Sequence, residues 1–284
     1  MSLFTEDDIL HSLLQGDWLF SNLIPSFRSK LEQVLFVKDG QVRTNWSLFL
    51  LTSLVYRKEN LSTDLIVQFS DPAKKSVAER LPSFTNSSEN AFWKNALEIV
   101  QPGTSPCAVS DTDLKELEHA VDLLNQYSLM KSQSNLSNWV DVFVPFDSND
   151  FRSASHPHYF GCIFLRLNRP AVETTLSLVH ELGHQELFLL NLIDRLITTE
   201  GDYHMVHAPF QGRQRPPIGR LHSAHALFRM VEYEHAVNDS CFERHLETLE
   251  KTIDTFEEHD LTKFGRKLVY DVYQIQVNRY RGRS

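Results

Sequence analysis

The sequence predicts a mainly α fold with a small β-sheet, an α+β class. Three observations carry it: helix-period spacing through most of the first 130 residues, two strand-like runs between 139 and 167, and a long apolar helix that follows them. The order implies a helical N-terminal region, 1–135, and a second region, 136–284, in which a strand leads into a buried helix and further helices close the chain.

From the N-terminus, residues 6–36 show helical spacing through Ile9, Leu13, Leu14, Trp18, Leu23 and Phe27, and helices follow near 46–57, 89–100 and 111–130. The last has the clearest start, with Ser110 and Asp111 as caps and Leu114, Leu117, Ala120, Val121 and Leu124 as its stripe. Polar stretches at 81–90 and 131–138 predict loops, the second a region boundary. Trp139-Val-Asp-Val-Phe-Val-Pro-Phe146 alternates like a half-buried strand, and Tyr159–Leu167 is rich in residues that favour extended structure, ending at Asn168-Arg-Pro170.

The next helix carries Leu178-Val-His-Glu-Leu-Gly-His184. Its apolar residues, from Leu176 to Leu196, point in nearly every direction, which predicts a helix enclosed by protein. His180 and His184 are one turn apart on one face, with Glu181 beside them. Burying an unpaired polar side chain costs roughly 2–7 kcal/mol, so three within one turn point to a metal ion or a dense hydrogen-bond network. A strand followed by a buried H-E-x-x-H helix is the arrangement of zinc metallopeptidases. There an edge strand pairs with an extended peptide and the Glu acts as general base on metal-bound water.

The third ligand lies farther along. The metzincin continuation is excluded, because Leu187 and Leu190 stand where Gly and His are required. A gluzincin Glu is available in Glu232 or Glu234, without the Asn and Asp that usually accompany it. Beyond Pro216 and Pro217, a helix with its stripe at Leu221, Ala224, Phe228 and Val231 brings His222 and His225, one turn apart, as better candidates than the loop residues His204 and His207.

Composition narrows the partners. The chain has 284 residues and a formal charge of −9, from 37 acidic against 28 basic side chains, which argues against a nucleic-acid-binding surface. The first residues lack a basic signal region and no apolar run reaches bilayer length, so a cytoplasmic protein without membrane contact is expected. Cys107, Cys162 and Cys241 are few and scattered, as expected of reduced structural thiols.

The set His180-Glu-Leu-Gly-His-Gln185 with its leucine run, His207-Ala-Pro-Phe210, Arg215-Pro216, Gly219-Arg-Leu-His222 and Ala226-Leu-Phe228, preceded by Ser153-Ala-Ser155, Gly161 and Ile163, resembles the H-E-x-x-H peptide-modification proteins of bacterial peptide natural-product pathways. The likeness spans about 150–235. It implies an Fe(II)- and α-ketoglutarate-dependent oxygenase that uses molecular oxygen to hydroxylate a β-carbon in a ribosomally made precursor peptide. It further implies His180, His184 and His222 as iron ligands, with Arg215 pairing with the distal carboxylate of α-ketoglutarate and Arg213 and Arg220 as rivals for that role. Bidentate pairing with a carboxylate suits a guanidinium. Glu181 is then expected to support the site or touch substrate. The sequence departs from the family pattern in Ser223, and in Phe210 after Ala208-Pro209. A zinc metallopeptidase with Glu181 as base is the alternative, and a metal-stabilised peptide-binding protein the third reading.

Overall fold

A computed structural model describes residues 5–39, 47–57, 66, 76–82, 84, 87–131 and 135–283. The described residues are mainly helical, with one four-stranded and one two-stranded sheet among them, as an α+β fold requires. Its contacts divide it into two compact units, 23–181 and a second made of 1–22 with 182–284. No helix among the described residues is long and apolar enough to cross a membrane. The three cysteines are free.

In the unit 23–181, the helices α2 (Phe20–Asp39, entered from the other unit), α3 (Leu48–Thr52, continued by a π-helical turn to Arg57), α4 (Ser87–Val100) and α5 (Asp111–Met130) accompany a sheet of β1 (Ser105–Pro106), β2 (Val142–Asp147), β3 (Ser153–Ala154) and β4 (Cys162–Leu165). Strand order is β1-β2-β4-β3, with β2 and β4 parallel, Val142 opposite Cys162, and the outer strands antiparallel. Helix α5 starts and stops where the sequence predicts, and the Ser110 hydroxyl accepts from the Asp113 amide. Helix α4 begins inside the predicted 81–90 loop, and part of each predicted loop lies outside the described residues.

The predicted half-buried strand is buried on both faces. Val142, Val144, Phe146, Cys162 and Phe164 pack in one cluster with Phe49, Trp93 and Leu97. Asp141, the polar member of the alternation, is buried too, accepting from the Phe49 amide at 3.0 Å. Gly161, at φ +85°, lies so close that a Cβ there would meet Asp141 Oδ2 at 2.5 Å. Both strands are shorter than predicted because tight 3-10 turns occupy Leu136–Trp139 and Pro157–Tyr159.

The strand before the H-E-x-x-H helix corrects the expectation of a peptide-pairing edge. β4 has β2 on one side and β3 on the other, so its backbone groups face neighbours; the edge belongs to the two-residue β3.

In the second unit, α1 (Glu6–Leu14) has a reciprocal Thr5–Asp8 cap. The single helix predicted over 6–36 breaks at Gly16, φ +79°. The long helix α6 (Ala171–Ile193) starts in the unit 23–181 and continues here, followed by the hairpin β5 (Val206–Ala208) and β6 (Arg213–Arg215), then α7 (Pro217–Val237), α8 (Phe242–Ile253), α9 (Lys263–Arg266), a π-helical stretch to Tyr273 and α10 (Gln274–Tyr280). Leu221, Ala224, Phe228 and Val231 are buried as the stripe on α7 predicts, and so are Arg220, His225, Arg229, Glu232 and Glu234 on the same helix. These five need partners, which is how the site is organised.

Candidate metal centre

Helix α6 is enclosed where its histidines lie. Leu178, Val179, Leu182, Leu187 and Leu190 have no exposed surface, while Leu192 and Ile193 at its end reach solvent. His180 and His184 are half-buried and project from one face of the helix, a turn apart.

Glu181 is buried, and each of its oxygens accepts one hydroxyl: Oε1 from Ser153 and Oε2 from Ser155, both at 2.7 Å. Burial pushes its carboxyl up to about 7, against the opposing pull of the two serine bonds. Ser153 belongs to β3, so the edge strand is tied to the helix through this carboxylate.

His222, on the second turn of α7, meets His184. Their Nδ1 atoms are 3.3 Å apart, their ring centroids 5.3 Å, and Phe188 stacks obliquely on His222 at 4.8 Å. Two unprotonated imidazole nitrogens cannot bond each other, so at this distance one carries a proton or both serve a cation. Nitrogens bound to one ion at roughly 2.0–2.1 Å stand 3.3 Å apart when they subtend an angle of about 105–110°, so the pair fits a shared ion.

His225 does not compete for that ion. It is fully buried, with Nδ1 2.6 Å from the Tyr273 hydroxyl and Nε2 2.8 Å from Glu186 Oε2, so both ring nitrogens are taken. Its pKa is lowered by burial, against the raising effect of Glu186. Glu186 anchors a charged network: Arg229 donates Nε to Oε2 at 2.7 Å and an Nη to Oε1 at 2.8 Å, and the Leu19 amide donates to Oε1 at 2.7 Å. Burial alone would raise the Glu186 carboxyl, but Arg229 and His225 outweigh it and hold it at about 2. Arg229 also binds Glu232 at 2.7 Å and lies 4.5 Å over the Trp18 ring.

This network fixes α6 against α7. Gly183 makes the approach possible: a Cβ there would stand 3.1 Å from the Ala226 Cα. The gluzincin candidates are engaged elsewhere, Glu232 by Arg229 and Glu234 by His245 Nδ1 at 2.6 Å.

The three arginines differ. Arg220 is fully buried and committed, donating to Asp260 Oδ2 at 3.1 Å, to the His204 carbonyl and to Thr255, and lying over Phe256. Arg213 is exposed on β6. Arg215, on the same strand, is half-buried with its Nε enclosed and without a hydrogen-bond partner, and its pKa is lowered by burial and by Arg213. His207 is exposed on β5, and His204 bonds Asp260 at 2.8 Å.

Among the described residues, the groups of three or more potential ligands within 4.8 Å of one another are His204–His259–Asp260 and Glu234–Asp239–Cys241. Of the first group the sequence reading singles out only His204, as a loop candidate, and it does not find the Glu186–Arg229 pair, whose signal is an acid in a leucine run. No protein-family model matches the chain, and no curated protein is similar to it.

Proposed function

We propose that the chain is an Fe(II)- and α-ketoglutarate-dependent oxygenase that hydroxylates a β-carbon of a ribosomally made peptide, with His180, His184 and His222 as the metal ligands. The observation that carries this reading is the approach of His222 to His184 at 3.3 Å while both nitrogens of His225 are occupied. The choice of iron and of the co-substrate rests on the resemblance of 150–235 to the peptide-modification proteins. Iron with α-ketoglutarate supplies oxygen activation coupled to decarboxylation of the co-substrate.

The protein's own residues supply binding and order. Arg215 pairs with the distal carboxylate: an anion there gives its enclosed Nε a partner and offsets the repulsion from Arg213. Glu181, with each oxygen accepting a serine hydroxyl, ties β3 to the helix beside His180, whose Nε2 is 4.0 Å from its Oε1.

The zinc peptidase is the second reading, favoured by one observation: a nitrogen separation of 3.3 Å matches a near-tetrahedral edge, the geometry zinc prefers. Anaerobic loading with Fe(II), then addition of α-ketoglutarate, oxygen and candidate peptides, tests the two. Succinate and a peptide heavier by one oxygen atom are expected. Peptide cleavage with Zn(II) and no need for α-ketoglutarate, abolished by Glu181→Gln, would overturn the oxygenase.

A further inference from the structure

We infer that His204, His259 and Asp260 form a second metal site, for a divalent ion of the zinc class. The inference is independent of the three-histidine reading.

The ligands lie on two segments fixed to each other by backbone. Thr198 donates its amide to the Asp260 carbonyl at 3.0 Å and its hydroxyl to the His259 carbonyl at 2.5 Å, and Ile197 bridges Leu261. Gly201 lies so near that a Cβ would stand 2.7 Å from the Asp260 carbonyl oxygen, so only glycine fits there. The donors are thus held before any ion arrives.

Asp260 is fully buried and its two oxygens have separate surroundings. Oδ2 accepts from Arg220 at 3.1 Å and from the Glu257 amide at 3.2 Å. Oδ1 faces the histidines, 2.8 Å from His204 Nδ1 and 3.8 Å from His259 Nε2. Glu257 faces the opposite ring nitrogens, with Oε1 3.8 Å from His204 Nε2 and Oε2 3.3 Å from His259 Nδ1, so it orients the two imidazoles from outside the ligand set. The imidazoles are 5.1 Å apart, His204 half-buried and His259 exposed, so an ion enters from solvent.

Chemistry selects the ion. Two imidazole nitrogens with one carboxylate suit zinc, cobalt or nickel better than calcium or magnesium, which take oxygen. The separations of Asp260 Oδ1 from His204 Nδ1 and from His259 Nε2, 2.8 and 3.8 Å, bracket the roughly 3.3 Å edge of a tetrahedral zinc site. Asp260 and the neighbouring Glu257 bring two carboxylates against the one guanidinium of Arg220, a charge that a divalent ion offsets. Arg220, which orients Asp260, sits two residues before His222 on α7, so a bound ion ties the 201–204 and 257–260 segments to the start of that helix.

The test is titration of Co(II) and Zn(II) into the full chain, followed by cobalt absorption and by bound-metal analysis. The wild-type protein should bind one equivalent more than His259→Ala, whose exposed position leaves the fold intact by circular dichroism. A His184→Ala/His222→Ala chain should keep one site, weakened at least about tenfold by adding His259→Ala. Zinc should raise the melting temperature of the wild-type chain more than that of His259→Ala. Equal stoichiometry and affinity in the wild-type and His259→Ala chains would overturn the inference and leave a metal-free His–Asp hydrogen bond.

Discussion

Gly183→Ala tests how tightly the two histidine-bearing helices must approach. The added methyl would stand 3.1 Å from the Ala226 Cα and 3.6 Å from the Arg229 Cβ and Cγ, so backbone must yield by a few tenths of an ångström. Overpacking of this kind costs about 1–3 kcal/mol, and alanine returns about 0.8–1.0 kcal/mol in helix propensity, leaving a loss of roughly 0–2 kcal/mol. The larger effect falls on metal binding. His184 is the next residue and Ala226 lies one turn beyond His222, so parting the helices widens the 3.3 Å nitrogen pair. A site that needs placement within about 0.5 Å should then lose about 10–100-fold in affinity. Urea denaturation gives the stability and competition against a chelator gives the affinity, measured in the His259→Ala background so that one site is read. A stabilised protein with unchanged affinity would refute the close-approach argument.

Two further predictions concern buried charge. Arg229→Met strands Glu186 and Glu232 without their cation and should cost about 3–5 kcal/mol in urea denaturation; adding Glu186→Gln should recover part of it, and a loss below about 1 kcal/mol would contradict the network. Asp141 is raised from 3.8 to about 6 by burial, against hydrogen bonds from Phe49 and Leu48 and the charges of Arg28 and Arg80. Between these values the native state holds the proton longer than the unfolded chain, so stability is present at the acid end and falls as pH rises toward 6, by up to about 3 kcal/mol. Asp141→Asn should flatten that part of the stability–pH curve, and an unchanged slope would exclude Asp141 as its source.

What the sequence disclosed is what local pattern controls. The all-round apolar run of α6 announces an enclosed helix, and a serine cap with a regular stripe delimits α5. The break at Gly16 was hidden, because Trp18 and Leu23 continue the helical spacing across a glycine that takes positive φ. Alternation over 139–146 suggested one wet face, yet Asp141 is buried among partners from distant segments. Spacing also could not separate His222 from His225. The groups that occupy His225 are Tyr273 and Glu186, 48 and 39 residues away, and the Asp260 that takes up Arg220 is 40 residues away. Long-range pairing of buried polar groups decides which side chains remain for chemistry, and a single chain's periodicity carries no record of it.

The central claim is that His184 and His222 share an ion and that His225 does not. Anaerobic Fe(II) binding to His259→Ala chains carrying His222→Ala or His225→Ala tests it most directly, with circular dichroism as the control for folding. The account predicts that His222→Ala loses the remaining equivalent of iron while folded His225→Ala retains it. Iron kept by His222→Ala and lost by a folded His225→Ala would contradict the account.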